Sequence, residues 1–160
     1  MAKLQNAVLG ACGEHYVASY LSGMSIVVAL TRGGTPATDL IVTSETGGRS
    51  VSIQVKTGGT FSYTNYKRKP ENNQWTWRVG RKAIDRAKDA HWYAFVYIGD
   101  WPQGEGSPKV FFVPSKLVGK KLRGNETSQQ DWFWMAEDEA KLYSGLTGYR
   151  KLKKAFAKRA

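Results

Sequence analysis

Apolar residues recur along residues 3 to 22 at alternating intervals of three and four. Leu4, Ala7, Ala11, Ala18 and Leu21 share one stripe, and Glu14 occupies the step between Ala11 and Ala18. That period predicts a helix with a carboxylate set inside its apolar face. Gly10 and Gly13 weaken a helix intrinsically, so close packing against a neighbour is expected there. Ser22-Gly23 supplies the stop signal. The pattern then changes. Residues 24 to 31 are rich in β-branched side chains and read as a strand, broken by Arg32-Gly33-Gly34-Thr35-Pro36. Residues 37 to 43 read as a second strand, and Glu45-Thr46-Gly47-Gly48 as a hairpin turn. Residues 49 to 57 alternate cleanly, with Val51, Ile53 and Val55 on one side and Ser50, Ser52, Gln54 and Lys56 on the other.

Past residue 58 the pattern is less regular. A short strand is expected near residues 59 to 63, then a basic, aromatic excursion through Lys67, Arg68, Lys69, Trp75 and Trp77. Residues 81 to 90 suit a short helix, 91 to 98 a buried strand, 99 to 108 a turn-rich loop and 109 to 113 a further strand. Residues 114 to 122 suit a helix with Pro at its first turn. Residues 124 to 130 read as polar linker, 132 to 135 as a short aromatic segment, and residue 137 onward as a final helix. The C-terminal run carries Arg150, Lys151, Lys153, Lys154, Lys158 and Arg159 with no acid among them. The order helix, three strands, helix, strand, strand, helices predicts an α/β or α+β fold with a central mixed sheet flanked by helices. A chain of 160 residues suits one domain, with a core over about 3–98 and an extension over about 109–160.

Charge adds a partner class. With 24 Lys and Arg against 13 Asp and Glu, the formal charge is +11, which points to a polyanion and to nucleic acid ahead of a membrane surface. Lys67, Arg68 and Lys69, with Arg81 and Lys82 beyond them, are the candidate phosphate contacts. Cys12 is the lone cysteine, so no intrachain disulfide can form and a reducing compartment, the cytoplasm, is expected. No apolar run is long enough to span a bilayer, and the N-terminus lacks a signal-peptide pattern.

Phosphodiester hydrolysis needs a Lewis acid on the phosphate, an activated water and compensation of transition-state charge. Oxygen ligands suit Mg²⁺, and a nearby ammonium can orient the water. Gln54 and Lys56, two apart on a strand, project from one face; Asp39 can approach from the neighbouring strand and Glu14 from the helix. Each residue alone has a structural account. Glu14 could sit in a buried pair with Arg32 or Lys56, Asp39 could cap the Gly-rich turn, and Gln54 and Lys56 could face solvent. Together they point to a site.

The runs Gly13-Glu14-His15-Tyr16-Val17, Thr38-Asp39-Leu40-Ile41-Val42 and Ile53-Gln54-Val55-Lys56-Thr57 resemble the core of the PD-(D/E)XK nuclease superfamily, which includes restriction enzymes and Holliday-junction resolvases. The resemblance implies a restriction-endonuclease-like αβββαβ core. It implies a divalent ion, Mg²⁺ or Mn²⁺, on Asp39 and Gln54 with the Val55 carbonyl as a further ligand. Lys56 would act on the water, and Glu14 would hold a metal-bound water or a second ion. Two departures stand out: Gln54 replaces the usual acid, and Pro36 lies three residues before Asp39 where the pattern has Pro adjacent. The expected activity is that of an endonuclease on DNA, with RNA and a homo-oligomer (dimer or tetramer) left open. The alternative is a catalytically inactive nucleic-acid-binding module of the same fold, and a third reading is a factor whose basic surface meets an acidic protein. His15 and His91 are too few and too dispersed for a zinc–histidine site, and no phosphate-binding P-loop is present. Trp132, Phe133, Trp134 and Tyr143 are expected in local core.

Overall fold

The computed structural model describes residues 6–31, 37–62 and 73–157. Helix α1 (Asn6–Ser22) precedes strands β1 (Ile26–Leu30), β2 (Leu40–Ser44) and β3 (Val51–Gly58), followed by β4 (Thr60–Ser62), β5 (Gln74–Arg78), β6 (His91–Tyr97) and β7 (Lys109–Pro114). Helix α2 (Ser115–Gly124), strand β8 (Trp132–Ala136) and helices α3 (Glu137–Lys141) and α4 (Gly145–Ala157) complete the order. Five strands form one mixed sheet in the order β1-β2-β3-β6-β7, and β4-β5-β8 form a second, antiparallel sheet. In the large sheet only β3 and β6 are parallel, with Ser52 opposite His91 and Lys56 opposite Phe95. The fold is α+β. Among the described residues no helix is long and apolar enough to cross a membrane.

The alternation on β3 decides what covers each face. Val51, Ile53 and Val55 pack with Val17 and Leu21 of α1 and Leu152 of α4 in one apolar layer. The opposite face of β6 and β7, through Tyr93, Phe95, Phe111 and Val113, meets Trp75 and Trp77 of β5, Phe133 and Met135 of β8, and Leu122 of α2 in another. Strand β6 is therefore buried on both faces, the usual state of a central strand with layers on either side. Gly58 and Gly59, at φ 106° and 72°, turn the chain from the large sheet into the small one, a conformation that a side chain strongly disfavours.

Several expectations change. Residues 81 to 90 do not form the crossover helix; only Arg81–Ala83 closes a 3-10 turn. The Ser115 hydroxyl accepts the Lys88 N–H at 2.9 Å and donates to the Lys88 C=O at 2.8 Å, which ties residue 88 to α2 and leaves its backbone groups outside any helix. The β3-to-β6 crossover thus contains two strands where the αβββαβ pattern has a helix. On α1 the buried residues are Gly13, Val17, Ala18 and Leu21, whereas Ala7 and Ala11 are exposed, so the apolar stripe is rotated and Glu14 lies on its flank. Gly13 packs as expected, because a methyl group there would collide with the Thr57 side chain; Gly10 faces open space. Trp75 and Trp77 are buried core residues of β5. The final helix is two helices, because the Tyr143 C=O leaves the helical path to accept the Phe112 N–H at 2.9 Å. Leu4, Arg32, Lys67, Arg68, Lys69, Lys158 and Arg159 lie outside the described residues.

Candidate active site

The site forms where β2 leaves β3. Leu40, Ile41 and Val42 pair with Ile53, Ser52 and Val51, while β3 runs on to Gly58 alongside β6. On its other side no described strand pairs with β3 beyond that point. Asp39 stands at this fork. Its N–H donates to the Ile53 C=O at 2.9 Å, and its C=O accepts the Thr31 N–H at 2.9 Å, so both neighbouring strands hold its backbone. Its Oδ2 accepts the Val55 N–H at 2.7 Å, replacing the ladder bond that β2 no longer offers. The N–H and C=O of one strand residue point the same way, so the Val55 carbonyl faces the same gap as the Asp39 carboxylate.

Glu14 reaches this fork from α1, which the Gly13–Thr57 contact holds close to β3. Burial pushes the Glu14 carboxyl above its ordinary value, and the Asp39 charge pushes it further, with His15 opposing. Asp39 is also raised by burial, against the Val55 N–H and the Lys56 charge, which both stabilise its ionised form. Lys56 is lowered, first by burial, while Asp39 opposes and the Arg86 guanidinium adds to the fall. Asp39 is thus the link, within electrostatic reach of Glu14 on one side and Lys56 on the other. Glu14 comes from the α1 face, whereas Lys56 and Gln54 project from the opposite face of β3. Glu14 and Lys56 thus approach Asp39 from opposite faces of the sheet, and Gln54 is placed only by sharing the Lys56 face. Gln54 is half-buried beside Lys56, opposite Tyr93 of β6.

Sequence reading missed Arg86. Its charge is felt by Lys56 on β3 and by His91 and Tyr93 on β6, which places it over the Gln54–Lys56 face. Arg81 and Lys82, the expected phosphate contacts, are exposed on the 3-10 turn, and the Arg81 N–H donates to Asp131 Oδ1 at 2.9 Å. The available signal was topological: β6 is parallel to β3, so residues just before β6 end beside the start of β3. A cavity of about 200 Å³ next to the fork is lined by Thr38, Ser52, Arg86, Lys88 and His91, among others. His91 is buried, with Nδ1 2.8 Å from Ser52 Oγ, and among the described residues its Nε2 has no hydrogen-bond partner. Burial first, then Arg86 and Lys88, lowers its pKa and favours the neutral imidazole. Burial pushes the Tyr93 hydroxyl up to about 12.

Two partly buried carboxylates, of which Asp39 raises the proton affinity of Glu14, are a place where a cation is welcome. Among the described residues no group of three or more His, Cys, Asp and Glu side chains comes together. The oxygens on offer at the fork are the Asp39 and Glu14 carboxylates, with the Val55 carbonyl on the same strand edge and the Gln54 amide on the Lys56 face. All are hard oxygens, which suits Mg²⁺ or Mn²⁺. No protein-family model, curated protein or solved structure matches the chain.

Proposed function

We propose that the chain is a metal-dependent phosphodiesterase acting on DNA, an endonuclease of the PD-(D/E)XK kind with Gln54 in place of the second acid. The observation that carries this reading is the fork itself. Asp39 is held by the Val55 N–H, faces Glu14 and Lys56 electrostatically, and stands on the strand edge to which the Val55 carbonyl also points. A divalent ion held by Asp39, Gln54, the Val55 carbonyl and Glu14 would supply Lewis acidity to the phosphate. Lys56, its pKa lowered, orients the attacking water and handles its proton. Arg86 compensates the charge that develops on the phosphate oxygens. The +11 charge favours a nucleic-acid substrate, and the lone Cys12 suits a reducing compartment such as the cytoplasm.

One observation favours a second reading. Among the described residues Gln54 leaves two carboxylates at the fork, which weakens ion binding relative to a three-acid set and fits a nucleic-acid-binding module that does not cut. Nicking of supercoiled plasmid across a Mg²⁺ and Mn²⁺ series separates the two. Cleavage that is lost in folded Lys56→Ala supports the enzyme; no cleavage of supercoiled, linear, single-stranded or branched DNA by wild type supports the module.

A further inference from the structure

Strand β8 alternates Trp132, Phe133, Trp134, Met135, and its two faces differ sharply. Phe133 and Met135 are fully buried against the large sheet, whereas Trp132 and Trp134 are 45% and 40% exposed on the outer face. The expectation that these tryptophans belong to the core is thus overturned. Side chains two apart on a strand stand about 6.8 Å from one another, close to the step between nucleotides in an extended single strand.

The two indoles border a cleft of about 370 Å³ whose other walls include Gln74 and Thr76 of β5 and Ser128 and Gln129 of the loop before β8. Among the described residues no charged side chain lines it. The loop is held in place: the Asn125 amide donates to the Trp132 C=O at 3.0 Å and to the Gln129 C=O at 3.4 Å. Amides and hydroxyls between two aromatic faces offer donors and acceptors to the edge of a flat ring that stacks on them. Cations rim the cleft. The Lys121 ammonium lies 4.7 Å from the Trp134 ring centroid, and Arg78, its side chain 73% exposed, is the cross-strand partner of Trp132. Each also meets an acid, Glu139 and Asp131 respectively, so attraction at long range comes from the chain's overall +11.

We propose that this outer face of the β4-β5-β8 sheet is a stacking platform for the unpaired bases of single-stranded nucleic acid. Indole faces accept any base, the polar walls engage base edges, and the basic chain draws in the phosphates. A neutral sugar could also stack on tryptophan, but it would gain nothing from the charge. The platform shares no residue with the Asp39–Lys56 fork, and its test needs no cleavage.

The experiment is a fluorescence-anisotropy titration of labelled (dT)₁₂ in EDTA, beside a duplex of equal length and an unlabelled neutral hexasaccharide as competitor. Trp132→Ala and Trp134→Ala, both at exposed positions, are expected to weaken (dT)₁₂ binding by about 5- to 100-fold each. Phe at either position restores most of the affinity, and the slope of log K against log salt stays unchanged because stacking releases no counterions. Equal affinity in a Trp132→Ala/Trp134→Ala double variant with a wild-type circular-dichroism spectrum overturns the proposal. So does an equal loss for duplex DNA, or displacement of (dT)₁₂ by the hexasaccharide.

Discussion

Asp39 Oδ2 accepts the Val55 N–H at 2.7 Å, so one carboxylate both closes the β2–β3 fork and faces the gap where the candidate chemistry sits. Structure and chemistry can be separated at this residue. Asp39→Asn keeps an acceptor oxygen for Val55 but removes the charge, whereas Asp39→Ala leaves a backbone donor unpaired at a cost of about 1–3 kcal/mol. Nicking is expected to be lost in both variants, with urea unfolding shifted clearly only in Asp39→Ala. Wild-type nicking by a folded Asp39→Asn protein would falsify the proposed site.

Gln54→Glu adds a third carboxylate to the proposed ligand set. Without metal, the added repulsion lowers stability; with Mg²⁺ or Mn²⁺, binding to the native state returns it. The thermal midpoint is therefore expected to rise with metal by more in Gln54→Glu than in wild type, with nicking preserved or increased. An identical metal response in the two proteins would remove Gln54 from the ligand set.

Arg86 lowers the Lys56 pKa, so its removal raises it. If the neutral amine of Lys56 takes the proton of the attacking water, the acid limb of the pH–rate profile moves to higher pH in Arg86→Gln. Single-turnover nicking measured from pH 6 to 10 reads this shift, together with a fall in the plateau of about 10- to 1,000-fold from lost charge compensation. A lowered plateau with an unmoved limb would assign Arg86 to the phosphate alone.

His91 makes stability depend on pH in a stated direction. Its folded pKa lies below the ordinary 6.5, so between the two values the unfolded chain binds more protons than the native one. Stability is fully present above about pH 6.5 and is lost as pH falls toward the folded pKa. His91→Asn, which can keep a polar contact to Ser52 but does not titrate, is expected to flatten this part of the profile. The measurement is the denaturant midpoint at half-unit pH steps. An unchanged slope would mean that other groups govern acid sensitivity.

Local pattern carried much of this protein. The period-two alternation of Val51, Ile53 and Val55 identifies the buried face of β3, because successive strand side chains must point to opposite faces. It places Gln54 and Lys56 together on the other face for the same reason, and the apolar run from His91 marks a strand covered on both sides. Element type and side-chain direction along one strand are short-range properties, and adjacent residues determine them.

Contacts between segments distant in the chain were decided by the tertiary structure alone. Gly13 selects which face of α1 is buried, because Thr57 fits only against a residue with no side chain, and no helical period reveals that partner. The stretch before β6 is tied to α2 by Ser115, 27 residues away, which bonds both backbone groups of Lys88. Arg86 comes over the site through the parallel pairing of β3 with β6, while Arg81 and Lys82 in the same basic stretch do not. The alternation of Trp132 to Met135 was visible in the chain, but which pair meets water depended on which side of β8 the large sheet covers. A strand with apolar residues on both sides has no preferred face of its own, and packing supplies it.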